Sequence, residues 1–220
     1  MPSDAHTERV IDPLAALAAE IRACTACPLH KGAQQAVPGE GSAESGMLFL
    51  GEAPGYNEDV QGRPFVGASG QLLDQNLAKI GLDRSKVFIT NVVRHRPPEN
   101  RDPLPEEVAA CDVWFRRHLE ILKPRVVVTL GRHAMGKFFH GESISRIHAM
   151  PRKVNDVLVF PMYHPAAALH QPSLRAELEA DFRKLADLLA PAADATSGPA
   201  TSTTATARPT DPADQLNLFG

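Results

Sequence analysis

The sequence predicts an α/β fold in which short buried strands of a parallel sheet alternate with amphipathic helices. Three apolar runs support this prediction: 47–50 before Gly51, 87–90 before Asn91, and 158–163 before His164. Strands that are apolar on both faces are typical of parallel sheets, which helices cover on each side. Ligands of open α/β sheets bind just beyond the carboxyl ends of the strands. We therefore expect a site where these three strand ends meet.

The predicted helices have apolar residues at a spacing of three or four. The first starts at Pro13, with Asp12 as its N-cap, and the second spans 68–80. A long amphipathic helix covers 106–122, and a closing helix covers 177–189. These helices would supply the layers on the two faces of the sheet.

One further strand and the intervening segments complete the predicted domain. The apolar run 126–130 indicates another buried strand, and 134–139 a short helix. Segments 31–45 and 141–152 have no clear period and are expected to be loops. Residues 165–170 follow a strand and are expected to form a tight loop or the start of a helix.

The composition excludes several classes of protein. A chain of 220 residues with 43 % apolar residues can form one domain of ordinary size plus a tail. No apolar run approaches the roughly eighteen residues of a membrane helix, and no secretory signal is evident. A cytoplasmic protein without a membrane partner is expected, and we expect a monomer. Three cysteines, two of them in a C-x-x-C pair, indicate metal or redox work rather than disulfides.

The composition changes at Pro191, which divides the chain into three predicted parts. Residues 1–190 form the domain, and 191–214 are a linker rich in Ala, Thr, Ser, Pro and Asp. Apolar residues return in 215–220, which is expected to be a short binding motif.

The residues at the three strand ends suit a flat heterocycle with hydrogen-bonding groups on its edge. Glu52, Asn91 and His164 offer a carboxylate, an amide and an imidazole, and Phe65 offers an aromatic face. Gly55 lets the chain turn and expose backbone N–H groups to a ligand.

Five segments carry a resemblance to a known family: GEAPGYNED (51–59), GRPFVGASG (62–70), TNVVRHRPPENRDPLPEEVAAC (90–111), LGRHA (130–134) and MYHPAAAL (162–169). Together with the C-x-x-C pair they resemble the uracil-DNA glycosylase superfamily, most closely its iron–sulfur branch, family 4. The resemblance covers roughly residues 20–190. It implies a three-layer α/β/α sandwich with a short, mostly parallel central sheet, and excision of uracil from DNA that leaves an abasic site.

The resemblance and the chemistry together predict a role for each residue. A flipped uracil would lie against Phe65, and Asn91 would read its Watson–Crick edge. His164 and the backbone N–H of Ala53 would stabilise the charge that develops on O2 of the leaving uracil.

The residue that positions the attacking water is open from the sequence. Better-known members of the superfamily carry an aspartate where this chain has Ala53. Glu52 is the first candidate to position the water and Glu58 the second. In the alternative interpretation, Glu52 braces the loop by accepting backbone N–H bonds. Tyr56 could exclude thymine by blocking the C5 position.

A cluster site is implied by the resemblance, with one departure from the family pattern. Cys24, Cys27 and Cys111 match three of its four cysteines, and His95 stands at the position of the fourth. A [4Fe–4S] cluster with His95 as fourth ligand is expected, since histidine replaces cysteine in some iron–sulfur centres. Three cysteines and one histidine also suit structural zinc, and an empty site is the third alternative.

Contact with DNA is expected from two features. In related enzymes the loop of Ala168 and Leu169 enters the minor groove, with an apolar wedge that Leu169 would supply; alternatively, Leu169 is a core residue. The net charge is −3, but 90–153 holds twelve Lys or Arg against seven Asp or Glu. A local basic face there would bind phosphates.

The last residues, QLNLF, resemble the motif by which bacterial repair proteins bind the sliding clamp. Leu216, Leu218 and Phe219 would enter an apolar pocket, and Gln215 would bond at its rim. A bacterial, nucleoid-associated enzyme is then expected. Two alternatives remain from the sequence: a catalytically inactive DNA-binding scaffold of the same fold, and a glycosylase whose main substrate is hypoxanthine or xanthine.

Overall fold

A computed structural model describes residues 12–188. Its strands are β1 (Glu40–Gly41), β2 (Met47–Gly51), β3 (Phe88–Asn91), β4 (Val126–Leu130), β5 (Arg152–Val154) and β6 (Val157–Met162). They form one sheet in the order β1-β3-β2-β4-β6-β5. The four central strands are parallel, and the two short edge strands are antiparallel to their neighbours.

The helices of residues 12–188 are α1 (Pro13–Arg22), α2 (Tyr56–Gln61), α3 (Ala68–Lys79), α4 (Pro105–Leu122), α5 (Arg132–Gly136), α6 (Ile144–Ile147), α7 (Pro165–His170) and α8 (Pro172–Asp187). Asp12 caps α1, since its carboxylate accepts the N–H of Leu14 at 3.0 Å. No helix in this range is long and apolar enough to cross a membrane.

Successive residues of β2 serve the two faces of the sheet, because side chains alternate along a strand. Met47 and Phe49 belong to a core shared with α3 and α8, where Phe49 stacks on Phe182 at 6.3 Å. Leu48 and Leu50 belong to the core on the opposite face, shared with α4 and α5. The predicted three-layer α/β/α sandwich with a mostly parallel sheet is thereby confirmed.

Strand β2 is the topological switch point of the sheet. The chain passes from β2 to β3 on one side and later to β4 on the other, so the strand order reverses at β2. A crevice opens beyond the carboxyl ends of the strands at such a point. The residues that follow β2 and β3 are therefore placed to bind a ligand.

The structure differs from the prediction in a few elements. Segment 31–45, expected to be a loop, contains the edge strand β1. Segment 141–152, also expected to be a loop, contains the short helix α6 and the first residue of the edge strand β5. Helix α2 was not predicted. The closing helix begins at Pro172, five residues before the predicted start, because proline is accepted at the first turn of a helix.

Candidate active site

A cavity of about 320 Å³ lies beyond the carboxyl ends of the sheet strands. All the residues predicted to be catalytic or to bind substrate line it: Glu52, Ala53, Gly55, Glu58, Phe65, Asn91 and His164. Pro97, Asn100 and Arg101 line it as well, from the loop after β3. Sequence reasoning missed these three. Their only signal was their place in the long segment 90–111 that carries the resemblance.

Asn91 lines this cavity, and its side-chain carbonyl oxygen has no hydrogen-bond partner among the described residues. It ends β3 opposite Gly51 and is 1 % exposed. Its Oδ1 is buried and accepts no hydrogen bond from the described residues. An unsatisfied buried acceptor costs about 1–3 kcal/mol. The N–H of a bound ligand would remove that cost.

Gly51 allows the amide of Asn91 and the ring of Phe65 to approach each other. A Cβ at residue 51 would lie 2.3 Å from Oδ1 of Asn91 and 2.6 Å from the Phe65 ring. Both distances are far below van der Waals contact. A residue with a side chain at the end of β2 would therefore displace both groups.

Phe65 forms an aromatic wall of the cavity. Its φ of 52° is unusual for a residue with a side chain and costs on the order of 1–3 kcal/mol. Arg84 stabilises this conformation, because its Nη1 donates to the Phe65 carbonyl at 3.0 Å. Gly70 leaves room for the same carbonyl, which a Cβ would approach to 1.8 Å. The Phe65 ring centroid lies 5.6 Å from that of His164, with the planes 30° apart.

His164 is neutral and has a defined tautomer. Burial lowers its pKa to about 4, although Glu58 opposes the shift. The backbone N–H of Ala166 donates to Nδ1 of His164 at 3.1 Å, at the start of α7. Since Nδ1 accepts, the single proton of the neutral ring is on Nε2. His164 can therefore donate one hydrogen bond to a ligand in the cavity.

Glu58 braces the two loops that surround the cavity. One carboxylate oxygen accepts the N–H groups of Val66 and Gly67 at 2.8 and 2.9 Å. The other accepts the N–H of Gly55 at 3.1 Å. The bracing that the sequence suggested for Glu52 is thus found at Glu58, whose oxygens are committed to the backbone. This arrangement weakens Glu58 as the second candidate for positioning water.

Replacing Glu58 with alanine is expected to destabilise the protein by roughly 3 kcal/mol or more, since three N–H groups lose a charged acceptor. Chemical denaturation should show this loss, and Glu58→Gln should lie between the two. The exposed Glu44 provides the matched control, and Glu44→Ala should leave the free energy of unfolding within about 0.5 kcal/mol of wild type. Equal stability of both alanine variants would contradict the bracing role.

Glu52 is half-buried and belongs to a small charged cluster. Its carboxylate lies 3.8 Å from Nε2 of His133, and that nitrogen is 3.2 Å from Asp102. Arg132 bonds Asp102 at 2.7 Å. Burial raises the pKa of Glu52, and the negative charge of Asp102 raises it further. His133 and Arg132 act in the opposite direction and lower it. No backbone N–H of the described chain donates to the Glu52 carboxylate, which can therefore hold a water.

The predicted metal ligands lie on the side of the sheet covered by α1 and α4. Cys27 and Cys111 are buried, and Cys24 accepts a bond from Nε1 of Trp114 at 3.3 Å. Burial raises the pKa of the Cys111 thiol, while neighbouring Arg94 opposes that shift. His95 is nearly buried and lines, with Cys24, a second cavity of about 190 Å³. Burial lowers the pKa of His95, so its imidazole is neutral, as a metal ligand must be.

The spacing of these ligands is wide. Among the described residues, one set of three potential ligand atoms lies within 4.8 Å of one another, and it is Glu52, Asp102 and His133. Ligand atoms around a tetrahedral zinc ion are only about 3.3–3.8 Å apart. No three of the predicted ligands Cys24, Cys27, His95 and Cys111 have ligand atoms this close together, so as they stand they do not form a zinc set.

The predicted DNA contacts divide into one exposed and one buried residue. Leu169 is 42 % exposed on α7, so it is not a core residue. Ala168 packs in the core beside α3 and α8 and cannot contact DNA through its side chain, which corrects its predicted role.

Tyr56 does not form a wall of the cavity, contrary to the prediction. It is 58 % exposed at the start of α2 and is not part of the cavity lining. The guanidinium of Arg96 lies over its ring, 5.2 Å from the centroid.

The linker 191–214 and the motif of Gln215, Leu216, Leu218 and Phe219 lie outside the described residues. Their predicted roles stay predictions.

An α/β/α sandwich with an amide, an aromatic ring and a neutral imidazole at a switch-point cavity is typical of a protein that binds a flat heterocycle with hydrogen-bonding groups on its edge. The comparisons with known proteins agree. The profile of the Uracil DNA glycosylase superfamily matches residues 38–190. The chain belongs to this superfamily.

Five relatives that are 42–47 % identical to this chain are type-4 enzymes. The type-4 uracil-DNA glycosylase of Sulfurisphaera tokodaii is 46 % identical over 188 residues, which cover 81 % of this chain and 86 % of the relative. The enzyme of the same name from Saccharolobus solfataricus is 45 % identical, over 81 % and 88 % of the two chains. That of Archaeoglobus fulgidus is 47 % identical, over 77 % and 89 %.

Proposed function

We infer that this protein is a uracil-DNA glycosylase, a hydrolase that cleaves the N-glycosidic bond of uracil in DNA and leaves an abasic site. The observation that carries this inference is the buried, unpaired Oδ1 of Asn91, a residue that lines the cavity together with Phe65. The amide of Asn91 accepts N3–H of uracil and donates to O4. Cytosine presents the opposite pattern on this edge and would leave buried polar groups unpaired.

The base reaches this cavity only after it leaves the duplex, because the glycosidic bond is inaccessible in the stack. The exposed Leu169 on α7 is suited to fill the space that the base leaves. Inside the cavity, Phe65 stacks on the flat ring, and Asn91 fixes its orientation.

Bond cleavage places positive charge on the sugar and negative charge on the departing uracil. Nε2–H of His164 donates to O2, where the negative charge develops, and the backbone N–H of Ala53 is a second donor. The neutral state of His164 means that the donor functions without a proton transfer to the base.

Glu52 positions the attacking water and favours the positive charge on the sugar. Its carboxylate has no backbone partner in the described chain and lines the cavity. Because burial raises its pKa, Glu52 is ionised only above that raised value, and activity should fall as the pH falls through it.

Replacing Glu52 with glutamine is expected to lower kcat about 100-fold and to remove this acid limb. The pH profile of kcat under single-turnover conditions measures both effects. Asp102→Asn is the matched control, because it removes a neighbouring negative charge and so lowers the pKa of Glu52. The acid limb should then move to lower pH, and the maximal kcat should stay unchanged. A Glu52→Gln enzyme with the wild-type rate and profile would contradict this role.

A panel of DNA substrates tests the function itself. Incubation with DNA that contains uracil should give alkali-labile abasic sites, whereas hypoxanthine and xanthine should react far more slowly. A scaffold protein would give none on any substrate. A faster reaction on a purine would assign another main substrate.

We further propose that Cys24, Cys27, His95 and Cys111 hold a [4Fe–4S] cluster. The separation of their ligand atoms favours this group over zinc, and the neutral His95 can bind either metal. When bound, the cluster supplies structural cross-linking of α1, the loop after β3 and α4; uracil excision requires no electron. The purified protein should be brown, with about four irons and four sulfides per chain. A colourless protein that contains zinc would reject the cluster, and His95→Cys should retain it.

Residues 215–220 are proposed to bind the bacterial sliding clamp and so to keep the enzyme near newly made DNA, at the nucleoid. A tether raises the local concentration without fixing the orientation of the domain. Full-length protein should be retained by immobilised clamp, and a Leu218→Ala/Phe219→Ala variant should not. Equal retention would reject the proposal. Both proteins should excise uracil from naked oligonucleotides at the same rate.

A further inference from the structure

Arg94 is a fully buried arginine whose guanidinium lacks protein acceptors. The residue is 0 % exposed, three positions after the end of β3. Its Nε and Nη1 have no hydrogen-bond partner among the described residues. Its Nη2 lies 3.4 Å from Nδ1 of His118, but that nitrogen donates to the carbonyl of Trp114 at 2.7 Å and cannot also accept.

A buried cation of this kind needs a negative partner, because an uncompensated charge in the interior costs several kcal/mol. The neighbouring carboxylate, Asp112, does not serve as one: it bonds Arg116 at 2.6 Å and also Lys137. His118 is neutral, since burial lowers its pKa to about 3. The other groups that act on Arg94 electrostatically are the thiols of Cys111 and Cys24.

We propose that Arg94 is the buried counter-ion of the metal–thiolate centre held by Cys24, Cys27, His95 and Cys111. The missing acceptors of its guanidinium are then the thiolate and sulfide sulfurs of that centre. Arg94 precedes the predicted ligand His95 in the chain, and its backbone and guanidinium both lower the pKa of the Cys111 thiol, which places the residue beside the ligand set. This inference rests on the proposed metal centre and not on uracil excision.

The charge balance explains why a histidine is tolerated at position 95. Three thiolates and one neutral imidazole carry one negative charge fewer than four thiolates. With Arg94 beside it, such a centre is closer to neutral, and a centre closer to neutral is less costly to bury. Second-layer hydrogen bonds of this kind tune both metal retention and reduction potential.

The test compares Arg94→Met, Arg94→Lys and a control in the purified, metal-loaded protein. Arg117→Met is the control, because Arg117 lies on the same helix as Cys111 but is partly exposed and paired with Glu20. Metal content, loss of visible absorbance under chelator, and reduction potential are measured. Arg94→Met should lose metal about 10- to 100-fold more readily and shift the potential downward. Arg94→Lys should retain most of the metal, and the control should match wild type.

A second measurement separates a counter-ion from an ordinary core residue. In chelator-treated, metal-free protein the positive charge has no partner, so Arg94→Met should raise Tm above that of metal-free wild type. The inference would be overturned if Arg94→Met retained metal as well as wild type and had the same reduction potential. It would also be overturned if Arg94→Met lowered Tm by the same amount in the metal-loaded and the metal-free protein. Absence of metal from wild type would overturn it as well. None of these readouts depends on excision, so failure of the proposed enzymatic activity would be seen separately on uracil-containing DNA.

Discussion

Replacing Asn91 with alanine is expected to lower kcat/KM for uracil excision by a factor on the order of 10²–10³. The variant loses the acceptor for N3–H and the donor to O4, and the value corresponds to the removal of one well-placed group in a dry site. Single-turnover excision from a uracil-containing oligonucleotide measures it. The loss should appear for free uracil as well, as weaker product inhibition.

Asn76 provides the control for the effect of removing a buried amide. It is also fully buried, its Oδ1 is also unpaired, and its Nδ2 donates to Leu72 at 2.8 Å. Because Asn76 does not line the cavity, Asn76→Ala should cost stability without lowering kcat/KM at a temperature where the variant is folded. If both variants lose activity equally, or if Asn91→Ala keeps it, base reading by Asn91 is wrong.

Replacing His164 with alanine is expected to lower kcat about 100-fold or more, with a smaller effect on KM, because the bond to O2 strengthens only as charge develops on the base. The pH profile of the wild-type rate distinguishes a neutral His164 from a charged one. With a pKa of about 4, His164 stays neutral from mildly acidic pH upward, so the wild-type rate should not fall as the pH rises through 6 and 7.

A rate that falls with rising pH in that range would show that the imidazolium is the active form. His164→Gln is the paired variant, since a side-chain amide can still donate one hydrogen bond and should recover part of the loss. Nitrogen NMR of the free enzyme should show a protonated Nε2 and an unprotonated Nδ1. The reverse tautomer would contradict the bond from Ala166 that defines this site.

The parallel strands and the residues at their ends could be predicted because they depend on local patterns. Asn91 and His164 each follow an apolar run, and strand ends converge in any parallel sheet. The edge strands β1 and β5 have only two and three residues, too few to show a period, and they form because a neighbouring strand pairs with them. Tertiary contacts decide such elements, and the sequence does not display them.

The roles of the two glutamates at the site also depend on tertiary contacts that the sequence does not display. Glu52 and Glu58 are both carboxylates of one loop, and nothing in their spacing tells which one binds the backbone. The answer depends on Val66 and Gly67, whose N–H groups reach Glu58 only after the second loop folds over it. The unpaired guanidinium of Arg94 could not be predicted from the sequence for a similar reason, because its burial depends on packing against α4.

The conformation of Phe65 has a consequence for how the enzyme selects bases. Arg84 holds the Phe65 carbonyl and is anchored in turn by Glu40 at 2.5 Å, so the aromatic wall is fastened to the rim of the sheet. Because the Phe65 backbone is held in this way, we expect it not to move when a larger or a smaller base enters the cavity. The cavity would then be preformed, and a base of the wrong shape would be excluded as it enters and not by a later conformational change.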